Sequence, residues 1–170
     1  ARFTNSYTRV GGVSHDFTPL VVQKIRDFVK TFPKTLRDME HLLTRNRIFV
    51  DRTQGVGVLS KSEAIGRGAT GPVARASGVT RDLRKDEPYL AYEDFDFQVC
   101  CAVAGDCYAR YCVRMQEMRE SLKIIAQAIE NLPAGAANVG IDQRAALPTK
   151  KQVYSTIEGT ISHFELSMSN

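Results

Sequence analysis

No stretch of these 170 residues approaches the roughly 18 consecutive apolar residues of a membrane-crossing helix, so the chain does not cross a bilayer by itself. Nor is there a Lys/Arg block of the kind that marks a nucleic-acid arm or a polybasic membrane anchor, and the net charge of +4 is mild. The chain starts without a recognisable signal or transit peptide. Metal-chelating spacing is also missing. Cys100 and Cys101 are adjacent, and Cys107 and Cys112 stand five apart, which puts them on different faces of a helix. They read as four free thiols of a reducing compartment, with a zinc or iron–sulfur site as the alternative. His15, His41 and His163 form no HxxxH pair, and Ser77 has no G-x-S-x-G setting. No catalytic residue and no metal ligand is assigned.

What is present is enough apolar residue for one core, at 43% of the chain, arranged mostly at helical spacing. Ile25, Val29, Phe32, Leu36, Met39 and Leu43 form one stripe, which keeps its phase across Pro33 and so predicts a single kinked helix. Between Ile48 and Leu59, Ile48, Val50, Val56 and Val58 alternate with polar residues or glycine and predict a small β-hairpin. Ser60 and Glu63 form a capping-box pattern for a short helix. Gly66-Arg-Gly-Ala-Thr-Gly71 fits GxGxxG, but it follows a predicted helix and runs into Pro72, so a loop is the better reading than a dinucleotide site.

The longest pattern spans Asp106 to Leu132, where Tyr108, Tyr111, Met115, Met118, Leu122, Ile125, Ile129 and Leu132 recur with near-heptad regularity. Such a helix would be roughly 40 Å long, the size of a bundle strut. A Gly/Ala-rich linker is expected over residues 134–147, and Thr149 with Gln152 opens a final amphipathic helix carrying Val153, Ile157, Ile161 and Phe164. The predicted fold class is mainly α: a helical bundle of three longer helices with an irregular central insert and a small β-hairpin, residues 1–170 forming one incomplete domain.

That central insert, Arg75 to Tyr92, has neither helical nor strand periodicity, so side chains must satisfy its backbone. Arg75, Asp82 and Arg84 are the structural residues expected to lock it, with Asp82 pairing with an arginine across the loop or with another element.

The insert, Arg75-Ala-Ser-Gly-Val-Thr-Arg-Asp-Leu-Arg-Lys-Asp-Glu-Pro-Tyr-Leu-Ala-Tyr92, closely resembles a signature of the NuoD-type quinone-site subunit of respiratory complex I, NADH:quinone oxidoreductase. Tyr7 to Val13, Leu42 to Ile48, Arg52 to Val58, Gly105 to Tyr111, Met115 to Ile125 and Ser162 to Leu166 resemble further blocks of that family in the same order. The resemblance implies a fold shared with the large subunits of nickel–iron hydrogenases, whose paired metal-holding cysteine motifs have no counterpart here. It implies a scaffold for quinone reduction and for the surroundings of the terminal iron–sulfur cluster, in a proton-pumping complex that carries FMN, iron–sulfur clusters and quinone. No cofactor is assigned to this chain. A non-redox assembly module with the same fold is the alternative.

Members of the family are longer, with a quinone-site segment before the position of Ala1 and another block after Asn170, so the chain is expected to be a middle piece. The implied partners are the other complex I subunits, including the neighbouring cluster-bearing subunit and the chain or chains supplying the missing ends; nucleic acid is not among them. The implied location is peripheral to a membrane, on the matrix side of the mitochondrial inner membrane or, alternatively, at the bacterial cytoplasmic membrane.

Alignment of Ala1 to Tyr7 with the family places Arg2 and Thr4 near the terminal cluster, with Thr4 where a histidine is usual. A protonated histidine would stabilise the reduced cluster, so the potential would fall as pH rises through the imidazole pKa; threonine has no proton to exchange there. Arg2 would supply fixed positive charge. The cluster potential is therefore expected to vary only weakly between about pH 6 and 8, and Thr4→His to steepen the slope. Redox titration at several pH values checks this, and a histidine-like slope with Thr4 in place would refute it.

Overall fold

The computed structural model describes residues 7–9, 11–138 and 147–168, and these are mainly α-helical. They fall into two compact units, Val22–Leu132 and a second built from Ala1–Val21 with Pro133–Asn170. Arg2 and Thr4 lie outside the described residues, as does most of the expected 134–147 linker.

In the larger unit the first long stripe forms α1, Pro19–Leu43, which runs through Pro33 as one helix and buries Leu36. The second forms α6, Cys107–Glu130, with Ala109, Val113, Met115 and Leu122 buried. Leu36 packs with Met115 and Leu122, flanked by Val29, Phe32, Tyr111 and Met118; this cluster joins the two long helices. A second cluster sets Ala76 against Ala109 and Val113, where small residues allow a short helix to approach α6 closely.

Between the long helices lie α2, Arg47–Thr53; α3, Lys61–Gly66; α4, Gly71–Ala76; and α5, Leu83–Asp86. The Ser60 capping box forms as expected, with the hydroxyl accepting from Glu63 N–H and the glutamate accepting from Ser60 N–H. The GxGxxG stretch links α3 to α4, a helix–loop–helix setting without the preceding strand that a dinucleotide loop requires.

The hairpin expected over residues 48–59 is not there. Asn46 caps a helix by accepting from Phe49 N–H, and Phe49 turns inward to meet the Tyr111 ring edge-on at 5.0 Å. Ile48, Val56 and Val58 are exposed, so the alternation that suggested a strand has no buried face behind it. The chain reverses instead at Gly55 and Gly57, both at positive φ.

In the smaller unit a two-stranded antiparallel ladder joins β1, Thr8–Arg9, to β2, Gly12–Val13, with Thr8 opposite Val13. Val13 N–H donates to Ala137 O, and Gly12 lies so close that an added Cβ would meet that oxygen at 2.4 Å.

The final amphipathic helix is two helices, α7, Lys150–Ser155, and α8, Ile157–Met168. Thr149 forms the expected box with Gln152, but Thr156 is extended and its hydroxyl accepts from Gly159 N–H, which caps a new helix. Gly159 permits the break, because a Cβ there would stand 2.5 Å from Gln152 O. α7 and α8 thus belong to a different unit from α1 and α6, and the core of residues 22–132 rests on two long helices rather than three.

Just before α6, Gly105 has φ +65°, and an added Cβ would lie 2.1 Å from Leu59 O. Gly105→Ala therefore meets both a left-handed backbone cost of about 1–2 kcal/mol and a backbone clash. It should lower the melting temperature and expose residues 55–59 to protease. Gly66→Ala, with nothing within 4 Å and ordinary φ, should be tolerated; equal effects of the two would refute the close approach.

Candidate functional site

α6 gathers the rest of the larger unit, and its sequence shows how. At its start Asp106 is the N-cap: Oδ1 accepts from Ala109 N–H at 2.7 Å and Oδ2 from Gly55 N–H at 2.8 Å. Burial works to raise its pKa, but these two backbone donors together with the Arg110 charge outweigh it and hold the carboxyl below the usual range. Arg110, one turn on, donates to Gly105 O at 2.7 Å and Gly57 O at 2.9 Å. Tyr108 Oη donates to Thr44 O at 2.9 Å, and Tyr111 Oη shares a bond of the same length with the Thr44 hydroxyl. Three motif blocks, residues 42–48, 52–58 and 105–111, therefore meet around the first two turns of α6.

The central insert meets the next turns. Arg75 is buried in the last turn of α4; its Nε and Nη2 both donate to Glu117 Oε1 at 2.7 Å, and its Nη1 donates to Arg81 O at 3.2 Å. Its carbonyl accepts from Ala102 N–H at 3.0 Å, while Ala76 O accepts from Gly105 N–H at 2.9 Å. One residue thus joins α4, the turn at Arg81, the segment leading to α6, and α6 itself.

The insert is less irregular than expected, because Asp82 caps the one-turn helix α5. Asp82 does pair with an arginine, though within the turn: Arg84 donates through Nε to Oδ1 at 3.0 Å and through Nη2 to Oδ2 at 2.7 Å, and its N–H also donates to Oδ1. The Arg84 guanidinium sits 4.8 Å from the buried Phe97 ring, whose sequence position gave no hint of this role. The hydrogen bonds from Arg84 hold the Asp82 carboxyl below its ordinary range, and Asp82 in turn raises Arg84.

Sequence reasoning assigned no role to Glu117, Glu120 or Gln127. Among the described residues no strand pairs with residues 96–102; Gln127 and Glu120 bind part of their backbone instead, while Glu117 holds Arg75. Gln127 accepts from Asp96 N–H and donates to Asp96 O, both at 2.8 Å; Glu120 accepts from Gln98 N–H at 2.9 Å. The available signal was spacing: 117, 120 and 127 lie on one face of α6, away from its apolar stripe.

Among the described residues no three His, Cys, Asp or Glu side chains converge to hold a metal ion. Burial pushes the thiols of Cys100, Cys101 and Cys112 up, with Glu120 and Glu117 adding to the effect at Cys100, so these are poor thiolate ligands and nucleophiles. The described residues do not fit an iron–sulfur cluster.

Fold and geometry define a mainly helical module whose buried charges, Arg75, Asp82 and Asp106, bind its own backbone and side chains. A model of the family described as the respiratory-chain NADH dehydrogenase, 49 Kd subunit, matches residues 1–170, and the chain belongs to that family. It is 48% identical over 165 residues to the NADH-quinone oxidoreductase D subunit of Methylacidiphilum infernorum, covering 96% of this chain and 39% of the relative. It is 48% identical over 164 residues to the D subunit of Akkermansia muciniphila (96% and 39%), and 48% identical over 168 residues to that of Myxococcus xanthus (99% and 40%). The chain thus spans about two fifths of the length of these relatives.

Because the folded Asp82 carboxyl titrates below its ordinary value near pH 3.8, its contribution is complete above that value and is lost as pH falls through the lowered one. Asp82→Asn should flatten the acid limb of the unfolding profile below about pH 4 and weaken the fold at neutral pH by about 1–3 kcal/mol. Thermal melts from pH 7 down to acid measure both, and a variant indistinguishable from wild type would show the pair to be solvated.

Proposed function

We propose that the chain is the central part of the quinone-site subunit of a proton-pumping NADH:quinone oxidoreductase. It acts as a scaffold for the quinone-reduction site and the surroundings of the terminal iron–sulfur cluster, while electrons pass from NADH to quinone through groups held by other chains. The observation that carries this reading is the family match along the whole chain. The relatives are named as D subunits of NADH-quinone oxidoreductase, and those names supply the reaction. A scaffolding role suits a chain whose buried charges, Arg75, Asp82 and Asp106, all satisfy its own backbone or each other.

On this reading residues 1–170 are one incomplete domain of a larger fold, shared with nickel–iron hydrogenase large subunits, and 134–147 is an internal linker. Arg2 and Thr4 neighbour the terminal cluster, and the cluster-bearing subunit is the adjacent partner. The complex supplies FMN, iron–sulfur clusters and quinone. It is membrane-associated, and this chain is peripheral to it; among the described residues no helix is long and apolar enough to cross a membrane. These three relatives are bacterial, which supports the bacterial cytoplasmic membrane, whereas the mitochondrial inner membrane rests on the likeness of the motif blocks.

Glu117→Gln weakens the charge that Arg75 needs, and breaking such a pair on one side costs about 3–5 kcal/mol when it is buried. Membranes carrying this variant should lose NADH:quinone reductase activity in parallel with loss of the assembled complex. Arg75→Lys, which keeps the charge but not the planar fork, should fall between. Unchanged quinone reduction in membranes where the variant chain no longer accumulates would overturn the proposal.

A further inference from the structure

We draw no further inference here: the strongest candidate, the apolar groove of about 630 Å³ along the seam between α1 and α6, floored by Val29, Pro33, Leu36, Leu122 and Ala126, carries nothing, because nothing in the structure shows what covers it.

Discussion

The constraint on which the larger unit depends is that residues 96–102 form neither a helix nor, among the described residues, a paired strand. Each unpaired amide in such a segment costs about as much as a lost hydrogen bond if it is shut away from water. α6 answers with side chains where a sheet would use a neighbouring backbone. Gln127 matches both polar groups of Asp96, Glu120 takes the Gln98 amide, and Glu117 holds Arg75, whose carbonyl takes Ala102. Two residues on one helical face, with Glu117 acting at one remove through Arg75, thereby hold the segment at Asp96, Gln98 and Ala102.

The same helix is polarised along its length. Its first turns, from Asp106 to Tyr111, hold the loops that precede α3 and follow α1 through capping, tyrosine and arginine hydrogen bonds. Its middle turns hold the Arg75 insert, and its last turns face the groove toward α1. A carboxylate kept ionised in a partly closed setting serves as cap or clamp only while donors surround it. Asp82, Asp106 and Glu120 each meet that condition, since burial, which would raise them, is outweighed by their hydrogen-bond donors together with nearby Arg84, Arg110 and Lys123 charge. The thiols receive no such donors at Cys100 and Cys101, and burial keeps them protonated.

Much of the local structure was legible in the residues. The two long stripes, both capping boxes and the Asp106 start of α6 follow from interactions made within four or five residues, which sequence spacing reports directly. The resemblance of the motif blocks identified the family that the whole-chain match then established. The misreadings share one cause. Alternating apolar residues at 48–58 predict a strand only if one face is buried, and Phe49, left out of that alternation, was the residue with a tertiary partner.

By itself, then, the sequence determined the two long helical stripes, the capped helix starts at Ser60, Asp106 and Thr149, and the family to which the chain belongs, because those depend on contacts between near neighbours and on the order of whole blocks. Tertiary structure alone decided that α7 and α8 part at Thr156 and that the motif blocks at 42–48, 52–58 and 105–111 converge. It alone also decided that Arg75 finds Glu117, 42 residues away. A salt bridge or a buried ring is specified by two positions whose separation along the chain carries no periodic signal, so only the fold that brings them together reveals which arginine, which glutamate and which phenylalanine they are.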